Sequence, residues 1–123
     1  MIPPLTIHDV FNELTQHCPE LRGAAVATLD GLVLAATGSF EGDAPAACAA
    51  GLAAHMDSHL SFVTPTVFKD SLIWTDAGVW CLTRLPDGHL LLTCSAMMDN
   101  VGALRLAVQI AAQQLEPMLS SMR

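Results

Sequence analysis

The sequence has few basic residues and no cluster of them. Five of its 123 residues are lysine or arginine, against twelve acidic residues, and the formal net charge is −7. Binding to nucleic acid needs a clustered basic face that displaces counterions from the phosphates. The sequence therefore argues against a nucleic-acid partner. An acidic domain with much apolar surface suggests a protein partner instead.

Long hydrophobic runs are also missing, although 52% of the residues are hydrophobic and the mean hydropathy is +0.46. Much of this hydrophobicity is alanine, and no apolar run approaches the roughly 18 residues that a membrane span needs. The first ten residues lack the basic and apolar regions of a signal peptide. We therefore expect a single domain over residues 1–123, no membrane insertion and a cytoplasmic location.

Motifs that would indicate catalysis or a cofactor are scarce. The four cysteines form no C-x-x-C pair, which argues against a zinc ribbon. The stretch GSFEGD at 38–43 has neither the lysine nor the spacing of a phosphate-binding loop. Ser95 lies in TCSAM rather than in G-x-S-x-G. We expect no catalytic residue and no cofactor.

Capping signals and helical periodicity predict the first and last helices. Thr6 and Asp9 have the spacing of a capping box, which predicts a helix over 7–17. The last helix starts near Asp99-Asn100, either of which could cap it. Pro117 is expected to kink or end this helix, because proline lacks the N–H that continues a helix.

A hairpin is predicted near the start of the chain. Two short apolar strands, 23–29 and 32–37, flank Asp30-Gly31. This pair is typical of a two-residue type I′ turn, in which both residues have positive φ. Such a turn would place Leu29 opposite Leu32 and Ala27 opposite Leu34.

The middle of the chain predicts a helix of small residues over 44–60. Asp43 could cap this helix, and Pro45 suits its first turn. Gly51 costs about 1 kcal/mol of helix propensity, so its presence hints at a close contact with another element. The small residues of this helix are Ala46, Ala47, Ala49, Ala50, Gly51, Ala53 and Ala54.

Three apolar segments follow, over 67–75, 79–85 and 89–95, separated by 76–78 and 86–88. The separators are too short for crossover connections, so these strands are antiparallel neighbours. A three-residue first turn would pair Trp74 with Trp80, and a two-residue second turn would pair Cys81 with Cys94.

Five hairpin-linked strands and three helices predict an α+β sandwich, with an antiparallel sheet covered by helices on both faces. In the third strand, Lys69 and Asp70 are the only charged residues that would oppose pairing of this edge with another chain. An unguarded edge on a very apolar chain predicts pairing with another chain.

The stretch GAAVATLDGLVLAATG, the small-residue helix and the stretch RLPDGHLLLTCSAMMDNVGALRLAVQIAAQQLEPML together resemble the Roadblock superfamily. The resemblance covers about residues 7–116. It implies a profilin-like α-β-β-α-β-β-β-α fold with sheet order 2-1-5-4-3. It also implies a dimer in which third strands pair edge to edge and middle helices pack together.

The resemblance implies a non-enzymatic dimeric regulator or scaffold. Its partner would be a small Ras-like, MglA-like GTPase, whose nucleotide cycle or localisation it would modulate. The dimer would form with an identical copy or with a paralogous Roadblock protein. One alternative is a light-chain assembly module without a GTPase partner. The other is a small metal- or thiol-dependent hydrolase.

Candidate interface residues come from the middle helix and the third strand. They are Ala50, Ala54, His55, His59, Leu72 and Trp74. His55 and His59 have the i, i+4 spacing of a zinc pair, but the stretch HMDSH lacks the metalloprotease glutamate and a third ligand. A Cys–His nucleophile, using a cysteine near His89, is less suitable than buried packing of the cysteines. Met97, Met98 and Trp80 suit either partner contacts or core packing.

Overall fold

A computed structural model describes residues 6–96 and 100–121 of the chain. Its elements follow the predicted order of helices and strands. They are α1 (Ile7–His17), β1 (Leu21–Thr28), β2 (Val33–Gly38), α2 (Ala44–Leu60), β3 (Asp70–Thr75), β4 (Gly78–Leu85), a 3₁₀ turn (Pro86–Gly88), β5 (His89–Ser95) and α3 (Val101–Ser120).

The five strands form one antiparallel sheet in the order β2-β1-β5-β4-β3, which confirms the expected fold. Each face of the sheet is covered by a separate apolar core. The core under α1 and α3 includes Phe11, Leu14, Val26, Leu91, Leu104 and Leu115. The core under α2 includes Ala25, Phe40, Ala49, Ala53, Leu82, Leu90 and Leu92.

The helix caps agree with the sequence signals in part. The capping box of α1 is confirmed, since Thr6 Oγ1 accepts from the Asp9 N–H at 3.1 Å and Asp9 Oδ2 accepts from the Thr6 N–H at 3.1 Å. Asn100 caps α3 by accepting from the Ala103 N–H, whereas Asp99 lies outside the described residues. Asp43 occupies the cap position of α2, but within the described chain its side chain makes no capping hydrogen bond.

The sequence predicts that Pro117 kinks or ends α3, and the expectation that it ends the helix is wrong. The helix continues through Pro117 to Ser120. Leu115 and Leu119, on either side of the proline, are completely buried in the core beneath α3. Burial of the last turn offsets the loss of one backbone hydrogen bond at the proline.

The first hairpin lies where the sequence predicts it, but the prediction of a two-residue type I′ turn is wrong. Thr28 C=O accepts from the Gly31 N–H, and the Thr28 N–H donates to Leu32 C=O. Gly31 has φ 88°, while Asp30 is not among the described non-glycine residues with positive φ. The loop therefore has three residues and a left-handed glycine. Ala27 therefore lies opposite Val33 rather than Leu34. A register shift between Val26 and Ala27 then restores the predicted register, with Val26 opposite Ala35.

Both later turns also differ in length from the expectation. The β3–β4 turn has two residues, so Trp74 lies opposite Val79, and Trp80 lies opposite Ile73. The β4–β5 turn has three residues, with positive φ at Asp87 and Gly88. The extra residue shifts the register, and Cys81 lies opposite Thr93 while Cys94 lies opposite Trp80.

Candidate protein interface

The two edge strands of the sheet differ in regularity. The β1–β2 ladder contains a register shift next to Val26 and Ala27. In contrast, β3 pairs with β4 through a continuous series, from Asp70–Thr83 to Thr75–Gly78. Bulges and twists protect edge strands against pairing with other chains, whereas a regular edge invites it. The outer edge of β3 is therefore the better template for another strand.

Backbone hydrogen bonding determines which residues of β3 face that edge. The Arg84 N–H donates to Lys69 C=O at 2.9 Å, so the backbone of Lys69 points toward β4. In an antiparallel ladder this direction alternates from residue to residue. The backbone groups of Asp70, Leu72 and Trp74 therefore point outward.

The structure places the two candidate residues of β3 on the same face of the sheet. Leu72 is half-buried and packs against the core under α1 and α3. Trp74 lies opposite Val79 and is 59% exposed. A large exposed tryptophan beside a regular edge suits a partner contact, which remains a prediction.

The outer face of α2 consists of small residues. Ala46, Ala49 and Ala53 are buried against the sheet. The opposite face, called here the small-residue stripe, presents Ala47, Gly51, Ala54 and Ser58 to solvent. A Cβ on Gly51 would have no heavy atom of the described residues within 4 Å. Another helix backbone could therefore approach this stripe closely.

Ala50 and Ala54, which the sequence grouped together, have different surroundings. Ala54 is exposed and belongs to the small-residue stripe. Ala50 is half-buried beside the tip of the first hairpin, where a Cβ on Gly31 would lie 3.8 Å from the Ala50 Cβ. Ala50 is therefore small because the hairpin of its own chain packs there.

His55 and His59 are exposed neighbours near the end of α2. Their ring centroids are 6.1 Å apart, and His59 Nδ1 lies 2.8 Å from the His55 carbonyl oxygen. Within residues 6–96 and 100–121, no group of three or more His, Cys, Asp or Glu side chains is placed to hold a metal ion.

A polar cluster that the sequence did not reveal links α2 to the sheet. Asp57 forms an ion pair with Arg84, and its Oδ1 accepts from the Phe68 N–H at 2.8 Å. The guanidinium carbon of Arg84 lies 4.7 Å from the centroid of the Phe68 ring. These residues are far apart in sequence, and no local motif connects them.

The first part of the segment between α2 and β3, called here the 61–67 loop, displays exposed apolar side chains. Phe62 is 82% exposed and Val63 is 89% exposed. The loop is nevertheless folded, since the Phe62 N–H donates to His59 C=O at 3.2 Å and Ser61 Oγ donates to Thr66 C=O at 3.1 Å. Large apolar side chains held in this way are typical of contact sites.

A pocket of about 480 Å³ opens at the other end of α2. This feature, called here the α2 pocket, lies between the first turn of α2 and the beginning of β4. Phe40 and Trp80 form one wall, with ring centroids 5.1 Å apart. Other lining residues are Arg22, Ala44, Pro45, Cys48 and Ala77. Trp80 thus combines core packing with a pocket surface, whereas Met97 and Met98 lie outside the described residues.

The cysteines differ in accessibility. Burial raises the pKa of the Cys18 and Cys81 thiols, which disfavours their thiolate forms. Cys94 is buried, with Sγ 3.7 Å from Ser39 Oγ, whereas Cys48 is exposed. The thiols of Cys18 and Cys81 therefore lack the activation that a nucleophile requires.

Comparisons with solved structures identify the fold of this chain. No protein-family model and no curated protein matches the chain. Among solved structures, MglB from Myxococcus xanthus superposes with a TM-score of 0.83 at 17% identity, covering 94% of this chain and 95% of that one. The chain has the Roadblock fold. A Roadblock/LC7 domain from Streptomyces avermitilis gives a TM-score of 0.79 at 20% identity, covering 89% of this chain and 93% of that one.

A further solved structure, described as MglB with a tetrameric arrangement, gives a TM-score of 0.79 at 16% identity and covers 98% of this chain and 95% of that one. Within the described residues, no helix has the length and apolar character to span a membrane.

Proposed function

We propose that this chain is a non-enzymatic, dimeric regulator or scaffold that binds a small Ras-like GTPase and changes its nucleotide cycle or localisation. It would act in the cytoplasm as one domain over residues 1–123. The likeness to MglB structures over more than nine-tenths of the chain supports this proposal. The tetrameric arrangement of one of those proteins supports self-association.

The regular, apolar edge of β3 carries the proposal. Antiparallel pairing of two β3 strands would join the sheets of two copies and satisfy outward-facing backbone groups of Asp70, Leu72 and Trp74. A two-fold axis perpendicular to the sheet keeps both α2 helices on the same face. The small-residue stripe, with Ala54 at its centre, would then let these helices meet, with His55 and His59 at the margin of the contact.

Mutation of Leu72 tests the dimer. Leu72→Lys should weaken dimerisation at least tenfold, since it places a charge at a contact that excludes water. Leu72→Ala is the control, because it also disturbs the packing of this side chain against the core but adds no charge. Light scattering of the wild-type protein at micromolar concentration should give a dimer mass. A monomer under these conditions would overturn the proposed assembly.

Identification of the partner tests the second half of the proposal. Affinity capture from the native cell should recover a small GTPase, and the protein should change that GTPase's rate of nucleotide exchange or hydrolysis. The purified protein alone should not turn over GTP. Recovery of scaffold or motor components without any GTPase would favour the light-chain alternative.

A further inference from the structure

We infer that Phe62 of each copy inserts into the α2 pocket of the other copy in the dimer. This inference rests on the β3-to-β3 dimer of the proposed function. The occupant of the pocket is therefore a second copy of this chain. Each copy carries both Phe62 and the α2 pocket, so the contact can form twice about a two-fold axis.

The two features lie at opposite ends of α2. The pocket surrounds Ala44, Pro45 and Cys48 in the first turns of the helix, and it also includes Ala77 just beyond the end of β3. Phe62 follows the last turn of α2, where Asp57 bonds to Phe68 before β3 begins. The helix α2, which packs on β1 and β5, and the strand β3 therefore run in opposite directions.

The register of the β3 pair follows from the faces of the strand. Residues opposite each other in an antiparallel pair share a face of the sheet. Neighbouring residues face opposite sides, so the two-fold axis passes through a residue position and not between two residues. The two central positions of β3 are Leu72 and Ile73. An axis at Ile73 would place Asp70 opposite Asp76 of the second copy, and like charges opposite each other are destabilising. The axis at Leu72 avoids this contact.

An axis at Leu72 brings the projecting loop to the pocket. Continued beyond the strand, this register places Val67 opposite Ala77 of the second copy. Ala77 lines the α2 pocket. Both α2 helices remain on one face, so the loop at the end of one helix approaches the first turn of the other. Phe62 and Val63 project from that loop into solvent in a single copy.

The chemistry of the two surfaces is complementary. The pocket is walled by Phe40 and Trp80, and an entering aromatic ring could pack against both. Arg22 lines the same pocket. The carbonyl end of one α2 helix would approach Arg22 and the amide end of the other helix, and opposite helix ends attract each other.

Mutation of Phe62 tests the inference. Phe62→Ser should raise the dimer dissociation constant at least tenfold, as loss of a central aromatic contact does. Leu106→Ser is the matched control, since Leu106 is an exposed large apolar residue on α3, across the sheet from α2. Both variants should keep the wild-type circular dichroism spectrum. A wild-type dimer whose dissociation constant is the same in Phe62→Ser would overturn the inference and leave the β3 dimer standing.

Cross-linking provides a second, independent test. Positions 48 and 62 of one chain are about 20 Å apart along the helix axis, so a disulfide between them must join two copies. The variant Phe62→Cys, oxidised with diamide, should form this disulfide with Cys48, and addition of Cys48→Ser should abolish it. A stable Phe62→Cys dimer in which peptide mapping finds no 48–62 link would overturn the insertion. A wild-type monomer would instead overturn the proposed dimer, and the inference with it.

Discussion

At the scale of single residues, Asp57 connects parts of the chain that the sequence keeps far apart. Its carboxylate binds the Arg84 guanidinium of β4 and the backbone N–H of Phe68. Arg84 in turn lies over the Phe68 ring. Because both charged side chains are about three-quarters buried, this pair differs from an exposed surface ion pair. It holds the segment that leads into the edge strand.

Replacement of Asp57 should destabilise the fold measurably. Asp57→Ala leaves a partly buried guanidinium without its carboxylate and the Phe68 N–H without its acceptor. We expect the free energy of unfolding to fall by about 1–3 kcal/mol, measured by urea denaturation at fixed protein concentration. Arg105→Ala, which breaks the exposed 3.6 Å pair with Asp70, should change it by less than about 0.5 kcal/mol. Equal losses in both variants would contradict this assignment.

At the scale of elements, α2 has two small-residue faces with different surroundings. One face packs on β1 and β5 through Ala46, Ala49 and Ala53. The other is the small-residue stripe, which is exposed in a single copy. Alanine content alone cannot separate the two, because alanine suits close packing against a sheet, a hairpin or another helix. Ala50 lies between these faces, next to the Gly31 turn.

Leucine at positions 50 and 54 should therefore have separable effects. Ala50→Leu forces bulk against the first hairpin and should lower the free energy of unfolding by about 1–3 kcal/mol. Ala54→Leu projects into solvent in a single copy, so it should leave the fold intact but raise the dimer dissociation constant. Circular dichroism during denaturation and sedimentation equilibrium distinguish the two outcomes. An unchanged dimer in Ala54→Leu would exclude the stripe from the interface.

At the scale of the whole molecule, the proposed dimer must form between two acidic chains. Each copy carries a formal charge of −7, so like charge opposes association over long distances. The contacts proposed above are mainly apolar or made by backbone groups. The balance between these two contributions depends on salt, since ions screen charges over about 10 Å at 0.1 M ionic strength.

Dimerisation should therefore strengthen with added salt. We expect the dissociation constant to fall several-fold between about 0.02 M and 0.5 M sodium chloride, because screening weakens the repulsion between copies more than it affects apolar contacts. Sedimentation equilibrium over this series measures the effect. Weaker dimerisation at high salt would mean that ion pairs across the interface dominate, contrary to the apolar β3 and Phe62 contacts.

Local sequence signals determined the elements and their order. Thr6 and Asp9 start α1 through side-chain contacts within one turn of the helix. Asp30-Gly31 indicates a hairpin through local turn preferences, which do not depend on the packing of the surrounding chain. Alternation of apolar segments with short turns sufficed for an antiparallel sheet. The resemblance to Roadblock proteins added the strand order, which the structure confirms.

Tertiary structure alone decided the registers and the surroundings of the candidate interface residues. Turn length depends on backbone conformations such as the positive φ of Asp87. One residue more or less shifts the cross-strand pairs of the two later hairpins, whereas a register shift between Val26 and Ala27 restores the predicted pairs in the first. Pro117 could remain inside α3 because burial of Leu119 offsets the loss of the backbone hydrogen bond that proline cannot make. The ion pair of Asp57 with Arg84, the α2 pocket and the exposure of Phe62 arise from residues that meet only after folding. No spacing along the chain encodes such contacts, because their partners are set by the packing of the whole sheet and its helices.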